Sequence, residues 1–187
     1  MKADRVLKLL SDRGAVRSGH FLLSSGKHSD TYVEKARVFE DPALTVRLAE
    51  EVAGWHDGVE LVVSPAVGAL PFGFAVAAAA GARFIYAERE EGAMSLRRGF
   101  SIRTGERTLV VEDVVTTGGS AGEVYALTVE AGADAVGVAA LADRSAGDLV
   151  FPLRALVRVS AEAWDPSECP RCAKRVPIES PGSSRLA

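Results

Sequence analysis

Two adjacent carboxylates, Glu112 and Asp113, follow the apolar run Leu109-Val110-Val111 and lead through Val114 and Val115 into Thr116-Thr117-Gly118-Gly119-Ser120. A glycine-rich turn opening a helix exposes several backbone N–H groups, and the helix dipole favours an anion there. Thr116, Thr117 and Ser120 add hydroxyl donors, so the loop suits one phosphate monoester. No Gly-Lys-Ser/Thr follows, which excludes a Walker-type nucleotide loop, and no Gly-x-Gly-x-x-Gly opens it, which excludes a dinucleotide fingerprint. A buried strand feeding an ordinary capped helix would not need the double acid, because alternation turns one side chain of any neighbouring pair towards the core.

These residues need elements to hold them. Apolar spacing predicts a helix from Ala3 to Arg13 with a glycine stop at Gly14. Gly19 to Asp30 reads as turn and loop leading to a short strand at Thr31 to Val33. Asp41-Pro42 can cap and open a helix running to Trp55. Beyond it, strands at Glu60 to Ser64, Ala82 to Ala87, Arg107 to Asp113, Ala135 to Leu141 and Leu153 to Val159 alternate with helical stretches, among them Ser120 to Ala131. Strands buried on both faces indicate an α/β fold with a parallel sheet flanked by helices, whose sites lie beyond the carboxyl ends of the strands. The tail after Pro177, with Ser180-Pro181-Gly182-Ser183-Ser184, reads as frayed.

At 187 residues and 48% hydrophobic side chains, the chain suits a single domain. A formal net charge of -3 without a Lys/Arg block argues against nucleic-acid or membrane-surface partners. Met1 to Leu10 has no signal-peptide core, and Leu61 to Ala80 is broken by Pro65, Gly68, Pro71 and Gly73, so a cytoplasmic protein is expected. The only cysteines, Cys169 and Cys172, form a Cys-Pro-Arg-Cys pair that could supply half of a tetrahedral zinc site. No second cysteine pair exists, and His20, His28 and His56 lie far away in sequence. The pair is therefore read as structural or incidental, with a metal or redox role, shared with a second subunit, as the alternative.

Val110 to Ser120 resembles the 5-phosphoribosyl 1-diphosphate signature of type I phosphoribosyltransferases: hydrophobics, two acids, further hydrophobics, then Thr-x-Gly-x-Ser/Thr. The resemblance implies that fold, with a small N-terminal hood over about residues 1–40, a core over about 41–160 and a tail over about 161–187. It implies that Thr116 to Ser120 cradle the 5-phosphate, with Val114 and Val115 also among the substrate-binding residues, and that Glu112 and Asp113 hold the ribose hydroxyls, one of them near the positive charge developing at C1. Ser64 to Pro71 resembles the family loop that holds the diphosphate and its Mg²⁺ through backbone groups, here at Pro65, Ala66 and Gly68. No metal ligation by side chains is expected.

Gly19 to Asp30 resembles the hood of orotate phosphoribosyltransferases through its Phe-x-Leu-x-Ser-Gly-x-x-Ser pattern, and Asp143-Arg144-Ser145 resembles their Asp-Arg segment. By that resemblance Ser25, Lys27 and Tyr32 belong to the cover over the base, and Arg144 meets the pyrimidine carboxylate, for which a guanidinium fork is suited. A flexible catalytic loop is expected after Ala87, but no lysine or histidine occurs between Glu88 and Gly99. Ser24 and Gly68 also stand where the family often has lysine. Cationic help would then come from Arg89, Arg97 and Arg98, whose alternative reading is solvated surface charge.

The resemblance implies 5-phosphoribosyl 1-diphosphate and orotate as substrates, Mg²⁺ as cofactor, and a homodimer whose loop, hinged at Gly92 and Gly99, carries Arg97 or Arg98 across to the neighbour. Phosphoribosyl transfer to another base, or a non-catalytic sensor of 5-phosphoribosyl 1-diphosphate, are the alternatives.

Overall fold

The computed structural model describes residues 1–23 and 25–181. Helix α1 (Ala3–Asp12) leads to a hairpin of β1 (Val16–Leu22) and β2 (His28–Val33), then to a short α2 (Ala36–Phe39) and to α3 (Pro42–Ala53). The central region follows as β3 (Leu61–Pro65), α4 (Leu70–Ala80), β4 (Arg83–Glu90), β5 (Ala93–Leu96), β6 (Arg107–Val115), α5 (Gly119–Glu130), β7 (Asp134–Asp143) and β8 (Leu153–Arg158). A two-residue β9 (Ala163–Trp164), a 3₁₀ turn (Pro166–Glu168) and α6 (Pro170–Ala173) complete it. The start of α3 forms as its residue types dictate, with Asp41 accepting a hydrogen bond from the Leu44 N–H at 3.0 Å and Pro42 in the first turn.

The six-stranded sheet has the order β5-β4-β3-β6-β7-β8, and all its pairings are parallel except β4 with β5. Side-chain alternation divides its strands between two cores. Val62, Leu109, Val111 and Leu141 pack with α1, α3 and α4, whereas Leu61, Val63, Val110 and Ala140 pack with Ala121 and Val124 of α5. Successive strands leave β3 to one side through β4 and return to its other side with β6. The order thus reverses between β3 and β6, the place where open α/β sheets bind ligands.

Three sequence expectations are corrected by the backbone. The stretch read as loop, Gly19 to Asp30, lies largely in β1 and β2, which pair antiparallel and with β9 form a separate three-stranded sheet. Its polar residues hide the strand pattern because His20, His28 and Ser29 are themselves buried. Ser24 lies outside the described residues. The expected flexible loop after Ala87 is partly strand: β4 continues to Glu90 and turns back through Glu91-Gly92, both at positive φ, into β5. Two such residues match the right-handed twist of a tight hairpin.

The tail is docked as far as Glu179, whose N–H donates to the His20 carbonyl and whose carbonyl accepts from the Leu22 N–H, each at 2.8 Å. Arg17 pairs with its carboxylate at 2.5 Å. The fraying expected at Gly182 to Ser184 falls outside the described residues. Among the described residues no helix is long and apolar enough to cross a membrane.

Candidate active site

Strand β6 carries both acids. It runs on to Val115, so Glu112 and Asp113 sit within the last paired residues of the strand, and the segments after β2 and β3 come up against Asp113. They are 8% and 4% exposed. Glu112 accepts a hydrogen bond from the Asp113 N–H at 3.0 Å, and Asp113 Oδ1 accepts from the Val114 N–H at 2.5 Å. Burial, followed by the neighbouring Asp113 charge, pushes the Glu112 carboxyl up from 4.5 to about 8. One acid of the pair is therefore neutral at neutral pH, while the other is ion-paired.

The partner of Asp113 is Lys35, whose ammonium donates to Oδ2. Lys35 was absent from the sequence expectations, which looked for lysine in the loops around residues 24, 68 and 88–99. It enters from the short link between β2 and α2 and brings an ammonium to the turn at Gly68. A Cβ on Gly68 would overlap both the Lys35 ammonium and Asp113 Oδ2, so only glycine lets the turn after β3 approach the acid this closely. The available signal was a lysine two residues past a strand bearing Tyr32, too generic to single out.

The phosphate loop is shaped by its glycines. Gly118 sits at φ 78° as the N-cap of α5, and a Cβ there would stand 2.7 Å from Leu149 Cδ2. Gly118 offers no capping side chain, the Gly119 N–H reaches Thr117 Oγ1 only at 3.4 Å, and no acid lies in the first turn of α5. Its N–H groups are left for an anion, flanked by the exposed Thr116 and Thr117 and the half-buried Ser120. Val115 is buried beneath the loop and anchors it, its carbonyl accepting from the Arg144 N–H at 2.8 Å.

Arg144 follows β7 on the next strand end. Its Nη2 donates to the Thr31 carbonyl at 3.1 Å and to Ser29 Oγ at 3.3 Å, while its buried Nε has no partner. Desolvation of this guanidinium depresses its pKa, against the opposing pull of Asp30 and Tyr32. A half-buried cation holding spare donors is suited to an anionic ligand. Tyr32 packs its ring 5.6 Å from that of Phe21. Burial and then Glu34 raise the Tyr32 hydroxyl pKa, against the opposing charges of Lys35 and Arg144.

The remaining expected residues lie apart from this group. Arg89 forms a paired contact with Glu123 of α5 at 2.8 Å, Arg98 a two-pronged one with Glu88 at 2.9 Å, and Arg97 meets Glu90 at 3.4 Å. Ser25 and Lys27 occupy the β1–β2 turn, where the Lys27 ammonium lies 3.6 Å from Asp165. Pro65 ends β3, and Ala66 is joined to Val67 by a cis peptide at the entry to the Gly68 turn. The cysteine pair is not isolated: the fold brings Cys169 and Cys172 to His20 and His28, whereas His56 lies elsewhere, near Arg154 and Arg107. Distance in sequence concealed this grouping.

An anion-binding helix start and a buried acid pair at the switch point of a parallel sheet, covered by a small antiparallel hood, are the build of a type I phosphoribosyltransferase. No family model matches the chain. It is 42% identical over 190 residues to orotate phosphoribosyltransferase of Thermoanaerobacter sp. (strain X514), covering 100% of both chains. With the enzyme of that name from Thermotoga petrophila the identity is 46% over 186 residues, covering 97% of this chain and 99% of the relative. The crystal structure of orotate phosphoribosyltransferase from Aeropyrum pernix superimposes with a TM-score of 0.69 at 26% identity, over 82% of this chain and 93% of that one. The chain belongs to the orotate phosphoribosyltransferase family.

Proposed function

We propose that the protein transfers the 5-phosphoribosyl group of 5-phosphoribosyl 1-diphosphate to N1 of orotate, releasing diphosphate and giving orotidine 5-monophosphate for pyrimidine nucleotide synthesis. The observation that carries this reading is the meeting of three chemistries at the carboxyl ends of neighbouring central strands. These are the open helix start at Thr116 to Ser120, the buried acid pair at Glu112 and Asp113, and the half-buried cation Arg144. Each matches one part of the reacting pair: the phosphate, the ribose and the orotate carboxylate.

The backbone N–H groups of Gly118, Gly119 and Ser120 would hold the 5-phosphate, with the Thr116 and Thr117 hydroxyls beside them. That anchors the ribose over the acids. Glu112, kept neutral by its surroundings, can donate a hydrogen bond to a ribose hydroxyl, and Asp113 can accept one. When the C1–O bond to diphosphate lengthens, positive charge grows at C1 and the ring oxygen. The buried carboxylate of Asp113 then stabilises that charge more than it stabilises the ground state. N1 of orotate supplies the electron pair for the new C1–N bond and loses its proton. Arg144, prepositioned by Ser29 and Thr31, sets the pyrimidine through its carboxylate.

Mg²⁺ is part of this proposal. The turn at Pro65, Ala66 and Gly68 would fit a metal–diphosphate group, because glycine at 68 brings the backbone of the turn up against Asp113 and Lys35, and backbone oxygens are ligands of the kind such a cation takes. When bound, the ion neutralises charge on the leaving diphosphate. Lys35 adds a fixed cation on the same side.

We further propose a cytoplasmic homodimer. Arg97 and Arg98 would cross to the neighbouring site once released from Glu90 and Glu88, and Gly92 and Gly99, both at positive φ, would permit the swing. Arg89, bound to Glu123, would brace the first turns of α5. Ser25 and Lys27 would complete the hood's rim.

The test is Asp113→Asn, assayed for orotate consumption and diphosphate release with and without Mg²⁺. Turnover should fall by at least about a hundredfold, as when one aimed electrostatic group is lost, while the unfolding midpoint stays close to that of the unaltered protein. Unchanged turnover would remove the acid pair from the mechanism.

A further inference from the structure

Four side chains that play no part in this chemistry meet at the outer end of the hood. His20 on β1, His28 on β2, Cys169 at the end of the 3₁₀ turn and Cys172 in α6 place one ligand atom each within 4.8 Å of one another. His20 Nε2 lies 3.0 Å from His28 Nδ1, 3.4 Å from Cys169 Sγ and 3.7 Å from Cys172 Sγ, and Cys172 Sγ lies 3.3 Å from His28 Nδ1. Tetrahedral zinc, with bonds of about 2.0–2.1 Å to nitrogen and about 2.3 Å to sulfur, needs ligand atoms roughly 3.3–3.8 Å apart. The four separations, 3.0 to 3.7 Å, overlap that range.

We propose that these four side chains bind one Zn²⁺ as a closed structural site that fastens the C-terminal segment to the hood. Three features beyond the distances support it. The outer nitrogen of His20, Nδ1, lies 2.8 Å from the Val176 carbonyl; donating to it leaves the Nε2 lone pair facing the cluster, as an orienting hydrogen bond does for a metal-bound imidazole. Two thiolates and two neutral imidazoles balance the charge of Zn²⁺, which suits a place where His20, His28 and Cys169 are buried. The Cys-x-x-Cys spacing lets a single turn supply two adjacent corners. Soft sulfur with imidazole in this arrangement favours zinc over magnesium or calcium.

With all four positions taken by protein, no site remains for substrate water, so the metal would stabilise rather than catalyse. The consequence reaches the functional site through β2. Ser29, next to His28, accepts from Arg144 and donates to the Glu162 carbonyl at 2.7 Å, just before β9. Fixing the hairpin against residues 163–172 therefore fixes the backbone that positions Arg144. The inference does not depend on the identity of the substrate.

The experiment is metal analysis of the full chain produced in zinc-supplemented medium and purified without chelator. One Zn²⁺ per chain is expected by elemental analysis and by native mass spectrometry. Stripping the metal should lower the unfolding midpoint by at least about 5 °C, and Co²⁺ added to the stripped protein should give the visible bands of a tetrahedral thiolate complex. Cys172→Ser and His28→Ala should each lose the zinc, and His56→Ala should keep it. Should those variants fail to fold, the Co²⁺ spectrum of the unaltered chain still decides. A metal-free chain that gives no tetrahedral Co²⁺ spectrum, a chain whose mass shows a Cys169–Cys172 disulfide in place of metal, or loss of zinc in His56→Ala would overturn the proposal.

Discussion

Replacing Glu112 by glutamine should stabilise the ligand-free protein, and by an amount that grows with pH. In the fold the Glu112 carboxyl is raised from 4.5 to about 8, first by burial and then by Asp113. The unfolded chain gives up this proton near 4.5, whereas the folded chain holds it until about 8. Stability is therefore lost as pH rises through that interval, and the loss levels off above it. At about 1.4 kcal/mol per pH unit, the interval amounts to roughly 3 kcal/mol at pH 7 and up to about 5 kcal/mol above pH 8. Glutamine keeps the carbonyl that accepts from the Asp113 N–H but cannot ionise. Urea unfolding of both proteins at pH 5 and pH 8.5 measures the effect. The two should differ little at pH 5, and the variant should be the more stable by several kcal/mol at pH 8.5. A difference that is the same at both pH values would mean that Glu112 is charged throughout and that its burial does not act as described.

Further outcomes follow from the same geometry. Arg144→Ala should raise KM for orotate by roughly tenfold or more, the worth of a charged hydrogen bond, and raise that for 5-phosphoribosyl 1-diphosphate much less; equal changes in steady-state kinetics would make Arg144 structural. Gly68→Ala puts a methyl group into the Lys35–Asp113 contact. Its kcat/KM for 5-phosphoribosyl 1-diphosphate should fall by at least about tenfold with the fold retained, and unchanged kinetics would show that the turn has room to spare. Mixing Arg97→Ala/Arg98→Ala with Asp113→Asn should restore activity after subunit exchange, because one site then has an intact acid and an intact donated loop; demonstrated exchange without activity would exclude action in trans.

The sheet was legible because β3, β6 and β7 are continuous apolar runs between helical periods, and the acids and glycines of the phosphate loop stand next to one another in the chain. Local patterns reveal local structure. The hood was not legible, because β1 and β2 bury His20, His28 and Ser29 in place of an alternating apolar face, and their partner β9 lies more than a hundred residues further on. Lys35 was missed for a related reason: its value comes from where the turn at Gly68 meets Asp113, which no spacing encodes. Of the arginines read as loop residues, Arg89 lies within paired β4 while Arg97 and Arg98 follow β5 in a turn, and the Glu123, Glu90 and Glu88 carboxylates hold the three.

The most direct test of the central claim presents the protein with 5-phosphoribosyl 1-diphosphate, Mg²⁺ and one base at a time, orotate, uracil, adenine or hypoxanthine, and follows formation of the nucleotide. Arg144 at the base side predicts that orotate alone is consumed, since only it brings a carboxylate to the guanidinium. Turnover of a purine or of uracil with orotate untouched, or binding of 5-phosphoribosyl 1-diphosphate with no nucleotide from any base, would contradict it.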